Sequence, residues 1–78
     1  MRDTMNLPIK IGTRVIPTDS SYTFEKFRIK GVYWVIKSFT PKMVRIESTE
    51  KYPQKKTMYA HQLLNIEPYF EKYPELFL

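Results

Sequence analysis

The 78-residue chain contains no cysteine, which excludes a disulfide framework, a thiolate nucleophile and a cysteine-bound metal, and suits a reducing compartment such as the cytoplasm. Glycine is scarce, with only Gly12 and Gly31, and no G-x-x-x-x-G-K phosphate loop, G-x-S-x-G elbow or EF-hand loop can be written from the chain. A single histidine, His61, stands without a second histidine or a carboxylate at metal-ligand spacing, so no metal or other cofactor is expected and catalysis is not expected either. No apolar run approaches the ~20 residues of a membrane span, and residues 1–6 lack the apolar core of a signal peptide.

What is present is a globular composition, 42% hydrophobic, 15% aromatic and 27% charged, in a length that suits one small domain. So short a chain hides only about 60% of its unfolded surface, which favours a binding surface over an enclosed active site. Charge is uneven. Residues 1–60 hold twelve Lys and Arg against five Asp and Glu, net +7, whereas residues 61–78 hold Lys72 against Glu67, Glu71 and Glu75, net −2. A basic body attracts polyanions, either nucleic acid or an acidic protein face.

The order of elements reads as mostly β. A first strand is expected between Pro8 and Pro17, followed by a long aromatic loop over residues 18–30 carrying Tyr22, Phe24 and Phe27. The β-branched and aromatic run after Gly31 predicts the most secure strand, with Val32, Trp34 and Ile36 on one side and Tyr33, Val35 and Lys37 on the other. A Pro41 turn, a strand at 43–47, a lysine-rich turn and a strand at 57–60 continue the meander. One 3₁₀ turn at 61–64 and a final strand ended by Pro68 complete it. Residues 1–68 form the domain in this reading, and residues 69–78 an apolar extension that covers the domain or a partner.

This order resembles a small SH3-like antiparallel barrel of the KOW and Tudor type. Gly12-Thr13-Arg14-Val15 resembles the opening strand, 18–30 the long first loop, and Gly31-Val32-Tyr33-Trp34-Val35-Ile36 the second strand. Lys42-Met43-Val44-Arg45-Ile46 resembles the third strand, and residues 56–60 and 61–64 the fourth strand and the 3₁₀ turn. The resemblance implies a nucleic-acid- or peptide-binding module without catalytic activity.

Two functions compete. In the first, Arg14, Lys37, Arg45, Lys55 and Lys56 hold phosphates while Tyr33 or Trp34 stacks on a base. In the second, a small adaptor or inhibitor, of a format compatible with viral origin, engages an acidic protein surface through the same cations or through Tyr69, Phe70, Tyr73, Leu76 and Phe77. The extension is also a candidate homodimer contact, and no membrane partner is expected. An aromatic peptide groove of Tyr22, Phe24, Phe27 and Tyr52 is weighed against the simpler reading of those rings as plugs over the barrel end. His61 is expected to be a turn residue capping a carbonyl, and Glu67, Glu71 and Glu75 to solvate the extension or lie across the basic body.

Overall fold

Pro8 and Pro17 bracket the first apolar run, but only its second half is a strand. In the computed structural model, which describes residues 1–72, β1 spans Arg14–Pro17, and the preceding residues turn. Gly12, at φ +93°, takes a backbone shape that costs other residues energy. Thr13 closes this turn by donating its N–H to the Lys10 carbonyl at 3.1 Å and accepting the Lys10 N–H on its hydroxyl at 3.0 Å. Ile11 is thereby left exposed at the turn, while Ile9 enters the core. Pro17 is the last residue of β1, beyond the ladder to the next strand, so its missing N–H breaks no bond there.

Residues 18–30 are not a loop. Ser21–Lys30 is helix α1, with Ser20 as N-cap accepting the Tyr22 N–H at 3.2 Å and Gly31 as left-handed C-cap at φ 68°, its N–H on the Phe27 carbonyl. Its end caps define this helix more than any apolar stripe, since Phe27 is its one buried residue.

The remaining elements follow the expected order. They are β2 (Trp34–Phe39), β3 (Val44–Ser48), β4 (Lys55–Met58), a 3₁₀ turn (Ala60–Gln62), β5 (Leu63–Asn65) and α2 (Glu67–Lys72). All pairings are antiparallel and the sheet order is β4-β3-β2-β1-β5. Among the described residues β4 and β5 do not pair, so the structure holds an open five-stranded antiparallel sheet in place of the expected closed barrel. The edge of β5 is covered by the N-terminal segment. Thr4 donates its N–H to the Leu63 carbonyl at 2.9 Å, and Asp3 accepts the Asn65 N–H at 2.6 Å.

Val15 and Ile16 alternate across β1 and so serve two cores. On one face Val15, Trp34, Ile36, Val44, Ile46, Met58 and Leu63 pack with Ile9. On the other, Ile16, Ile66 and Phe27 bring both helices onto the β1–β5 half of the sheet, with Tyr33, Leu64 and Phe70 alongside. α2 therefore begins before the expected domain boundary at residue 68 and packs on the body through Phe70.

Candidate functional site

The β2–β3–β4 half of the sheet has no helix over its outward face, and the register decides what stands there. Between Ile36↔Ile46 and Ser38↔Arg45 the ladder slips by one residue, leaving Lys37 as a bulge. With the bulge, Lys37 and Ser38 both face outward and Phe39 returns to the core. Strict alternation would have sent Ser38 inward.

Across the strands, Ser38, Arg45 and Thr57 form one row, and Val35, Glu47 and Lys55 the next. Neighbouring strands lie about 4.8 Å apart, so three strands bring these side chains within about 10 Å. They line an open groove of about 560 Å³ walled by Lys37, Arg45, Glu47, Lys55, Lys56 and Thr57 together with Ser38 and Ile46. Three of the cations singled out from the sequence, Lys37, Arg45 and Lys55, meet in it, whereas Lys56 pairs with the buried Ile46 and points to the other face. Among the described residues Glu47 is the groove's single carboxylate, reaching Lys37 at 3.6 Å. Arg45, Lys55 and Lys56 make no ion pair among the described residues.

Lys56 points the other way. It occupies the edge strand opposite Ile46, and its ammonium lies 5.3 Å from the centre of the Trp34 ring, a cation–π arrangement. Trp34 itself is 5% exposed, so the expected stacking role does not fit its position: the ring fills the core beneath Lys56. Beside it, the Lys26 ammonium holds Glu50 at 2.9 Å and joins α1 to the β3–β4 loop. That hydrogen bond raises Lys26 above the ordinary lysine value, against the lowering effect of desolvation.

Arg14 and Tyr33 lie elsewhere, in the second core. The Arg14 guanidinium donates to both Glu67 carboxylate oxygens and its main-chain N–H to Oε2, at 2.6 to 3.2 Å. It also stacks 3.6 Å from the centre of the Phe70 ring. The Glu67 hydrogen bond raises Arg14, and the Arg14 hydrogen bond lowers Glu67, each against opposing desolvation. Tyr33 meets Phe70 edge-on at 5.4 Å. Both residues assigned to nucleic acid from the sequence are thus engaged in fastening α2.

Of the residues assigned to a protein interface, Phe70 is half-buried against Tyr33 and Phe27, and Tyr69 packs edge-on at 6.2 Å from Phe27 with 40% of its surface exposed. Tyr73, Leu76 and Phe77 lie outside the described residues. The peptide groove is not assembled as expected. Phe27 is buried, Tyr22 and Phe24 are exposed on α1, and Tyr52 is exposed on the β3–β4 loop. His61 is in the 3₁₀ turn as expected, but its ring stacks on Tyr59 and caps no carbonyl among the described residues.

Among the described residues no helix is long and apolar enough to cross a membrane, and no three of His, Asp and Glu gather as a metal site. No family model matches the chain, and comparisons with curated proteins and with solved structures likewise give no match.

Proposed function

We propose that the chain is a non-enzymatic SH3-like binding module whose groove on β2, β3 and β4 takes up the phosphates of nucleic acid. The observation that carries this reading is the convergence of Lys37, Arg45 and Lys55 from three adjacent strands on one open groove with, among the described residues, Glu47 as its one carboxylate. Cations spaced a few ångströms apart on a rigid sheet hold a positive field with little loss of side-chain freedom on binding, and a phosphate backbone presents charge at comparable intervals. The strand order and the 3₁₀ turn before β5 support the SH3-like reading, with α1 in the place of the long first loop. The open edge of β4 beside the groove leaves room for an extended polymer to run past it.

The test is fluorescence anisotropy of labelled oligonucleotides over a salt series. Three neutralised phosphates give a log–log slope of about −2 on a single strand. Arg45→Glu and Lys55→Glu should each weaken binding and flatten the slope. Absence of binding at low salt would remove nucleic acid as the ligand and leave an acidic protein surface as the occupant of the same groove.

A further inference from the structure

Trp34 and Tyr33 are both committed to packing, so if the groove holds phosphates, a base-stacking ring must come from elsewhere. One pair of rings meets the need. Tyr59 and His61 stand with their rings nearly parallel, at 13° and 5.5 Å between centroids, and both residues are exposed, Tyr59 at 46%.

Their position follows from the strand. Lys55 and Thr57 face outward into the groove while Met58 faces the core. Tyr59 follows β4 directly, at φ −73° and ψ 147°, two residues beyond Thr57. Two residues of extended chain cover about 6.6 Å, which sets the Tyr59 backbone next to the Thr57 end of the groove, with its ring outside the groove lining.

The backbone under the pair is fixed. Tyr59 donates its N–H to the Gln62 side-chain oxygen at 3.1 Å and accepts the Gln62 N–H on its carbonyl at 3.0 Å. The 3₁₀ turn so formed carries His61, so both rings are positioned before any ligand arrives. At this separation the two rings are already in contact and no base enters between them. A base can add to the outer face of the pile, gaining stacking area without reordering the protein.

We infer that Tyr59 and His61 form a base-stacking platform and that the ligand is single-stranded nucleic acid, with its phosphates along Arg45 and Lys55. The inference rests on the groove reading above and narrows it: bases inside a duplex are stacked on each other and offer no free face to a surface pair, whereas unpaired bases do.

The experiment compares labelled dT15, rU15 and a 15-base-pair duplex on the wild type, Tyr59→Ala, Tyr59→Phe, His61→Ala and Arg45→Glu, each checked for the wild-type circular dichroism spectrum and melting. The expected result is that Tyr59→Ala weakens the single strands about tenfold, in the range of one lost base stack, with the salt slope unchanged and duplex binding unaffected. Tyr59→Phe keeps the affinity because it keeps the ring, and His61→Ala falls between. The dT15 and rU15 arms show which sugar the site prefers. Wild-type affinity of Tyr59→Ala and His61→Ala for both strands, with Arg45→Glu still impaired, would overturn the platform and leave the groove standing. Duplex binding as tight as single-strand binding in the wild type would overturn the choice of ligand. Unchanged binding in Arg45→Glu would instead remove the groove reading on which the platform rests.

Discussion

The Glu67 carboxylate and the Arg14 guanidinium meet at 2.6 Å across 53 residues of sequence, and the same carboxylate takes the Arg14 main-chain N–H at 2.8 Å. One side chain therefore ties α2 to β1 by charge and by backbone, and sets the Arg14 plane against Phe70. Glu67→Gln keeps the size and removes the charge. With both side chains about one-third exposed, the expected loss is about 1–2 kcal/mol, read as a lower urea midpoint. An unchanged midpoint would mean that the charge of Glu67 adds nothing to the hydrogen bonds and aromatic contacts that hold α2.

The same pair sets a pH dependence. The Arg14 hydrogen bond holds Glu67 below the ordinary carboxylate value. A carboxylate with a lowered folded-state pKa adds stability that is complete above its unfolded value of about 4.3 and is lost as pH falls through the folded value. Arg14 is raised further above an already strongly alkaline value, so its contribution changes only at extreme alkalinity. Urea midpoints at pH 7 and pH 3 should therefore differ less in Glu67→Gln than in the wild type; equal differences would show that Glu67 titrates alike in the folded and unfolded chains.

Lys56 lies over the buried ring of Trp34, the one tryptophan of the chain, on the face opposite the groove. Phosphates held in the groove should therefore leave the Lys56 ammonium in place and Trp34 emission unchanged, whereas Lys56→Ala should alter the emission of the free protein. A shift of Trp34 emission on titration of the wild type with an oligonucleotide would locate the ligand on the Trp34 face and not in the groove.

Much of the sheet was legible because β-branched and aromatic residues alternate in it. Trp34 and Ile36 are inward with Val35 and Lys37 outward, and the 3₁₀ turn falls within a residue or so of its expected place. Helix α1 was not legible from periodicity, since its exposed Tyr22, Phe24 and Ile29 blur any apolar stripe. Its signal was the cap residues Ser20 and Gly31, with ten residues between them. Of the site, the three groove cations were readable as charges between Lys37 and Lys55, but the Lys37 bulge that aims two adjacent side chains outward leaves no mark in a single sequence. The engagement of Arg14 was also hidden, because its partner Glu67 is distant in the chain and read as one of three regularly spaced carboxylates.

The C-cap of α1 gives a prediction of backbone origin. Gly31 sits at φ 68° with nothing within 4 Å of where a Cβ would stand, so Gly31→Ala meets no steric clash and carries only the left-handed conformational penalty. The expected cost is about 1 kcal/mol, and Gly31→Asn should recover part of it. A larger loss would imply that the turn into Tyr33 moves as well, which the amide shift of Thr49, bonded to the Tyr33 carbonyl at 2.9 Å, would report.

Asp3 closes the other end of the molecule. It is 5% exposed, and its carboxylate accepts the N–H groups of Met5 at 3.0 Å, Leu7 at 2.7 Å and Asn65 at 2.6 Å. The first two shape the N-terminal turn and the third fastens that turn to β5, so one carboxylate both folds the cover and seats it on the sheet edge. Asp3→Ala strands three donors at once, and charge-assisted bonds of this kind contribute about 1.5–3 kcal/mol each when isolated and less when they share an acceptor. A total loss of about 3 kcal/mol is expected. Hydrogen exchange separates a local from a global effect: in Asp3→Ala the amides of Asn65 and Thr4 should exchange faster under conditions where those of β2 and β3 remain protected. Uniform acceleration across the sheet would show that the N-terminal cover is part of the core and not an addition to its edge.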